Sequence, residues 1–122
     1  PQLYALRMDA ELDFAAASEF DRAITDHLAS HPDVQHVCLF AQPINRIDVT
    51  GVETFAQLQR QLSSRGITLH ISGIKLPVET ALRRAGELQD SPHLQLYRTD
   101  AEALQALAQL TPQPDHTTAA AL

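Results

Sequence analysis

The stretch VQHVCLFAQPINRIDVTGVETF, residues 34–55, decides the fold of this chain. Its opening part, residues 34–41, is mostly apolar, as expected of a buried strand. A polar loop follows, and apolar residues then recur at the spacing of a helix. These are Val52, Phe55, Leu58 and Leu62. The stretch therefore predicts a strand, a loop and an amphipathic helix, which is the repeating unit of a parallel α/β domain.

Strands and helices alternate in the same way on both sides of this stretch. Apolar patterns predict strands at residues 3–8, 34–41, 67–72 and 94–98. Amphipathic spacing predicts helices that start near Ala17, Thr50, Pro77 and Thr99. Helices placed between strands imply right-handed crossovers. We therefore expect an α/β fold, with a mostly parallel sheet of about four to five strands flanked by about four helices.

Composition restricts the function before any motif is considered. The 122 residues have a mass of 13.4 kDa, which is the size of one domain. The formal net charge is −6, a sign that opposes nucleic acid or an anionic membrane surface as the main partner. Cys38 is the single cysteine, so an internal disulfide and Cys-rich zinc sites are excluded. No apolar run approaches the ~20 residues that cross a bilayer.

Histidine and cysteine side chains offer few candidates for chemistry. His27 and His31 lie four residues apart at the end of the first helix, but no Cys, Asp or Glu is placed to complete a metal site. Cys38 falls in the most apolar strand and is interpreted as a small buried hydrophobe. We place His36 and His70 at strand edges. Since a glycine-rich phosphate loop and a nucleophile elbow are also missing from the sequence, we expect no enzyme, no metal and no cofactor.

The loop before the second helix carries polar groups that need another explanation. Thr50 and Glu53 have the spacing of a capping box, in which Thr50 accepts a hydrogen bond from a first-turn amide and Glu53 reaches back. Asp48 is interpreted as a turn residue that binds backbone amides near the helix start. Asn45 and Arg46 have no evident role in a core. We therefore interpret Thr50 first as a structural cap and the rest of the loop as exposed.

This loop and its surroundings resemble the STAS domains, a family named for sulphate transporters and anti-sigma-factor antagonists. The run from Asn45 to Phe55 resembles the signature loop of the family. Leu12-Asp13-Phe14-Ala15 resembles the segment before its first helix. Shorter similar pieces follow in order at residues 64–67, 71–73, 82–86 and 99–104. The resemblance covers roughly residues 3–110 and implies a STAS-like fold.

Two branches of the family differ in this loop. Antagonists usually carry Asp-Ser-Ser-Gly, in which a partner kinase phosphorylates the second serine, whereas this sequence has Asp48-Val49-Thr50-Gly51. The form Asp-Val-Thr-Gly followed by Val-Glu-Thr, together with Phe14, looks like the branch fused to SulP-type anion permeases. Asp13 departs from that branch, since permeases more often have an aromatic residue there and antagonists have the aspartate.

The resemblance implies a cytoplasmic regulatory domain of a SulP-type secondary anion transporter, for sulphate, bicarbonate or a dicarboxylate. Its partners would be the membrane domain of the same transporter and a cytoplasmic protein. One alternative is a soluble anti-sigma-factor antagonist phosphorylated at Thr50. Another is a sensor that binds a nucleotide or small ligand weakly. In each case the expected site is the loop of Asn45, Arg46, Asp48, Thr50 and Gly51.

The ends of the chain carry separate expectations. The sequence starts at Pro1 and is already inside a predicted strand by Leu3, so we expect an excised fragment of a longer protein. The resemblance implies that the longer protein is integral to the inner membrane and that this fragment is a soluble part on its cytoplasmic face. We expect the STAS domain to occupy residues 1–111 and a polar tail to occupy residues 112–118. Residues 119–122 read as a vector-derived linker and are kept out of the fold.

Overall fold

A computed structural model describes residues 3–7, 14–88 and 92–110, and within them strands and helices alternate. The strands are β1 (Leu3–Arg7), β2 (His36–Phe40), β3 (Thr68–Ser72) and β4 (Leu94–Tyr97). The helices are α1 (Phe14–Ser30), α2 (Val49–Ser64), α3 (Leu76–Arg84) and α4 (Asp100–Leu110). Each predicted element is present, with bounds shifted by a few residues at most. The predictions that concern Met8, Asp13 and the tail at residues 112–122 lie outside the described residues.

The strands form one parallel sheet in the order β1-β2-β3-β4. Each crossover therefore steps to the next strand in the same direction. Right-handed crossovers that all step the same way place their helices on the same face of the sheet. The α/β fold with a mostly parallel sheet and flanking helices is confirmed, with four strands and four helices in the described residues.

The face under α1, α2 and α3 contains the main core. Side chains alternate along a strand, so Leu39 of β2 and Ile71 of β3 point to this same face. They cluster with apolar side chains from all three helices, among them Ile24, Leu28, Phe55, Leu58, Leu62, Val78 and Leu82. Burial of a side chain of this size contributes roughly 1.5–3 kcal/mol, so this face supplies most of the stability. Leu39 and Phe55 are buried, as predicted from their places in the pattern.

In the described residues, α4 is the helix that covers the opposite face. Its Leu107 packs in a smaller cluster with Ala5, Cys38 and Phe40 of β1 and β2. At the start of α4, Ser72 Oγ donates a hydrogen bond of 2.5 Å to Asp100 Oδ1 and ties the helix to β3. The two faces are therefore covered unequally, three helices on one and α4 on the other.

Capping sets the ends of the helices. At the C terminus of α2, Gly66 has a φ of 71°, and its amide and that of Ile67 donate to Ser63 and Leu62. This is a Schellman arrangement, which satisfies carbonyls left open by the last turn. At the N terminus of α4, Thr99 Oγ1 accepts from the Glu102 amide at 3.1 Å, as the capping-box spacing of these two residues predicts.

Candidate functional site

Apolar anchors hold the loop between β2 and α2 on the sheet. Ala41 and Ile44 are buried, and the Ile44 amide donates to the Ala41 carbonyl at 2.9 Å, which closes a tight turn. Ile47 packs against the core from the far side of the loop. Between these anchors Asn45 and Arg46 are exposed. The loop is therefore fixed at several points and presents its polar residues outward.

Asp48, and not Thr50, caps α2. Its Oδ1 accepts a hydrogen bond of 2.7 Å from the amide of Gly51, and its φ and ψ of −95° and 179° are extended. Thr50 is the second residue of the helix and is half-buried, so the predicted Thr50–Glu53 capping box is wrong. A carboxylate at the N-cap satisfies the first-turn amide and also lies at the positive end of the helix dipole, which explains why the helix starts one residue before Thr50.

The loop between β3 and α3 lies directly beside the first loop. Gly73 has a φ of 69°, and a Cβ at this position would meet Gln42 Cβ at 3.2 Å, so the two backbones approach closely. Lys75 Nζ donates to Asn45 Oδ1 at 2.5 Å across the same gap. The structure therefore joins the predicted loop to a second loop that the sequence analysis did not include.

Exposed apolar side chains border these polar residues. Val49 is 74% exposed and Leu76 is 72% exposed, and they are the first residues of α2 and α3. We call Asn45, Val49, Lys75 and Leu76 the edge surface. The sequence analysis did not single out Val49, Lys75 and Leu76. The available signal was their position, since α2 and α3 begin at the carboxyl edge of the sheet, where open α/β sheets bind their ligands.

A chain of hydrogen bonds crosses the sheet on the face that α4 covers. His36 Nδ1 lies 3.1 Å from His70 Nε2, and His70 Nδ1 lies 2.9 Å from the Tyr97 hydroxyl. His70 is fully buried in the middle of β3, so its predicted place at a strand edge is wrong. Burial, with a smaller contribution from the neighbouring His36, lowers the pKa of His70 to about 4. Burial also lowers the pKa of His36.

The surroundings of His27, His31 and Cys38 do not suit metal binding or catalysis. The His27 and His31 rings stack with centroids 4.0 Å apart and planes 10° from parallel, an arrangement that does not point two nitrogens at one ion. Within residues 3–7, 14–88 and 92–110, no group of three or more His, Cys, Asp or Glu side chains could hold a metal ion. Burial, assisted by the Asp100 carboxylate, raises the pKa of the Cys38 thiol to about 12, so this thiol stays protonated.

These features define a small parallel α/β domain with three helices on one face, α4 across the other, and joined loops at the carboxyl edge of the sheet. Residues 1–103 match the STAS domain, and the chain belongs to this family. Of the helices in the part of the chain that the structure describes, none has the length and apolar character needed to cross a bilayer.

The relatives are longer proteins. Over 107 residues the chain is 30% identical to a Mycobacterium tuberculosis protein named as a probable sulfate transporter, covering 87% of this chain and 19% of that protein. An Arabidopsis thaliana protein named in the same way is 34% identical over 91 residues, covering 66% of this chain and 13% of that protein. The chain therefore spans less than a fifth of either relative.

Among solved structures, the STAS domain of a SulP transporter from Vibrio cholerae is similar to this chain. It aligns with a TM-score of 0.70 at 26% identity, over 92% of this chain and 86% of that chain. The agreement extends over nearly all of the described fold.

Proposed function

We propose that this chain is the cytoplasmic regulatory domain of a SulP-type secondary anion transporter that carries sulphate, bicarbonate or a dicarboxylate. The family supports this proposal, and so do the two relatives named as sulfate transporters, in which a stretch of this length is a small part of the protein. In this proposal the membrane domain of the same protein carries out transport. In this proposal the regulatory domain occupies residues 1–111.

We propose that the domain acts by contact and not by catalysis. The Asp48 carboxylate is committed to capping α2, and the Cys38 thiol is held protonated. The protonated thiol is therefore not available as a nucleophile at neutral pH. Thr50 lies within the first turn of α2 and is half-buried.

The contact would be made by the edge surface. The observation that carries this part is the exposure of Val49 and Leu76, the first residues of α2 and α3, at the ends of two loops that the Lys75–Asn45 hydrogen bond joins. Exposed apolar side chains surrounded by polar groups are typical of a surface that is covered in an assembly. The first partner is the membrane domain of the transporter, and the second is a cytoplasmic protein.

Serine substitutions in the whole transporter test the contact. Val49→Ser and Leu76→Ser remove apolar contact area from exposed positions, so the domain should stay folded. We expect transport in reconstituted vesicles to change by about fivefold, the equivalent of ~1 kcal/mol of lost contact. Leu104→Ser is the matched control, because Leu104 is an exposed leucine, 43% accessible, on α4 and away from both loops. Unchanged transport in both edge variants, with the protein folded, would reject this surface.

A charge at Thr50 tests regulation of the same loop. Thr50→Glu places an acidic group in the first turn of α2, where it gains typically ~0.3–1 kcal/mol from the helix dipole. We expect the isolated domain to remain folded and the transporter to change its rate. If a kinase instead modifies Thr50 and this releases a soluble partner protein, the chain acts as an anti-sigma-factor antagonist and the transporter proposal fails.

A further inference from the structure

The hydrogen-bond chain of His36, His70 and Tyr97 is built so that its members depend on one another. It joins three adjacent strands, from the first residue of β2, through the middle of β3, to the last residue of β4. His36 and Tyr97 at the two ends are half-buried, whereas His70 between them is fully buried. Both ring nitrogens of the buried His70 are engaged, so a change at one of them must be answered at the other.

In the neutral chain one histidine donates and the other accepts. A phenol is a stronger acid than a neutral imidazole N–H, so the Tyr97 hydroxyl is the better donor to His70 Nδ1. His70 then carries its hydrogen on Nε2 and donates it to His36 Nδ1 across 3.1 Å. This arrangement leaves the unprotonated His36 Nδ1 as the acceptor at the end of the chain.

Proton uptake at His36 reverses every bond in the chain. His70 passes its Nε2 hydrogen to His36 Nδ1, so His36 becomes the charged ring and a donor, and His70 Nε2 becomes the acceptor. At the other nitrogen, His70 Nδ1 receives the hydrogen of the Tyr97 hydroxyl and then donates it back to the Tyr97 oxygen. The Tyr97 oxygen, on a half-buried residue, takes the replacement proton from solvent and points it away from His70. A second proton would place two N–H groups and two positive charges face to face at 3.1 Å, which the contact does not permit.

We propose that the His36–His70–Tyr97 chain is a one-proton sensor, in which protonation of His36 is transmitted through a tautomer change of His70 to the Tyr97 hydroxyl and the start of α4. Tyr97 lies where a change in its hydrogen bonding could reach the start of α4. Its carbonyl accepts from the Gly73 amide at 2.9 Å, and Thr99, two residues later, caps α4. The sensor is separate from the edge surface and does not depend on the proposed partner contact.

Few other charged groups surround the hydrogen bonds between His36, His70 and Tyr97. Apolar residues of β1, Leu3 and Ala5, lie in register with His36 and Cys38 on this face. Titratable or charged groups on the neighbouring described elements include the Cys38 thiol of β2, Tyr97 of β4, Asp100 and Glu102 of α4, and His93 in the turn before β4. Glu102 is exposed, and its carboxylate accepts from the Arg98 amide. Cys38 stays neutral, and Asp100 accepts from Ser72 Oγ. From α4, the buried residues Ala103 and Leu107 carry no charge.

Histidine side-chain NMR on the 15N-labelled chain tests the proposal without any substitution. Long-range proton–nitrogen spectra distinguish the two neutral tautomers and the charged ring. On acidification from about pH 8 to about pH 5, we expect His70 to change from the Nε2–H to the Nδ1–H tautomer at the same midpoint at which His36 is protonated. Backbone amide shifts of residues 99–102 should follow that midpoint. The proposal is wrong if His70 keeps one tautomer over the whole pH range. It is also wrong if His36 and His70 are protonated independently in the folded protein.

Substitutions then test whether the pH response depends on the hydrogen bonds between His36, His70 and Tyr97. His36→Gln removes the proton acceptor, and we expect His70 to hold one tautomer across the pH range. Tyr97→Phe keeps the ring and removes the oxygen, and we expect the amides of residues 99–102 to lose their dependence on the His36 midpoint. His31→Gln, an exposed histidine on the opposite face, is the matched control and should change neither result. If the amide response survives in Tyr97→Phe, transmission does not run through Tyr97 and the proposal is wrong.

Discussion

A single carboxylate determines where α2 begins. Asp48 and Thr50 are both good N-cap residues, and the sequence pattern favoured Thr50 because Glu53 follows at capping-box spacing. The structure uses Asp48, which bonds the Gly51 amide at 2.7 Å. The consequence is that Thr50 lies inside the helix and is not needed to start it.

The roles of Asp48 and Thr50 can be separated by alanine substitution. We expect Asp48→Ala to lower the free energy of unfolding by about 1 kcal/mol, the usual cost of a lost cap. Thr50→Ala should change it by less than about 0.5 kcal/mol, because no cap is lost. Urea denaturation of the isolated chain measures both values. If Thr50→Ala lowers the free energy of unfolding more than Asp48→Ala does, then Thr50 and not Asp48 caps α2.

At the scale of elements, close approach of two loops shapes the carboxyl edge of the sheet. Gly73 ends β3 with a φ of 69° and sits against Gln42 of the preceding loop. The absence of a side chain here lets the loops touch and brings Lys75 to Asn45. Gly66 has a similar φ of 71° at the end of α2, but open space surrounds its missing Cβ.

Alanine at these two glycines separates backbone strain from crowding. Gly66→Ala carries only the conformational cost of a left-handed residue, roughly 1–2 kcal/mol. Gly73→Ala carries the same cost and must also displace Gln42, so we expect a larger loss of stability and a shift in the amide resonances of the Gln42 loop. Thermal or urea unfolding gives the stabilities, and equal losses would show that the loops are less closely packed than described.

The elements were predictable from the sequence because apolar residues recur with different periods in strands and in helices. The helix starts were predicted less well, since more than one residue near a start can act as a cap. The burial of His70 was not predictable, because α4, which covers its face, comes about thirty residues later. The edge surface was missed for a similar reason. Lys75 and Asn45 become neighbours only when the two loops meet.

At the scale of the molecule, the direction of the crossovers explains why polar groups accumulate on one face. Three helices between sequential parallel strands cover a single face, so the opposite face depends on α4. That face accordingly contains His36, His70 and Tyr97 beside the smaller apolar cluster. A buried histidine in this position links the stability of the whole chain to pH.

We expect the free energy of unfolding to fall as the solution is acidified. In the folded protein the pKa of His70 is lowered to about 4, whereas the ordinary value in an unfolded chain is 6.5. Between these values the unfolded state binds more protons, so stability is complete above about pH 6.5 and is lost toward about pH 4. One such group contributes a slope of up to about 1.4 kcal/mol per pH unit.

Urea denaturation at a series of pH values checks this slope. His70→Gln should flatten it whatever the variant's absolute stability, whereas His31→Gln should change it only slightly, through the pKa of the neighbouring His27. A free energy of unfolding that stays constant from about pH 6.5 to about pH 5 would show that His70 is protonated as easily in the folded protein as in the unfolded chain.

The unequal covering of the two faces also implies a hierarchy of opening motions. Detaching α4 breaks the Ser72–Asp100 bond and uncovers Leu107, while the three-helix core stays closed. We expect amides of α4 to exchange with deuterium through a partial opening, at a lower free energy than amides of β2 and β3, which should exchange only on global unfolding. Native-state hydrogen exchange at rising denaturant concentration distinguishes the two classes, and a single class would contradict the hierarchy. A domain of this construction can release one helix to a binding partner while its sheet remains fully paired.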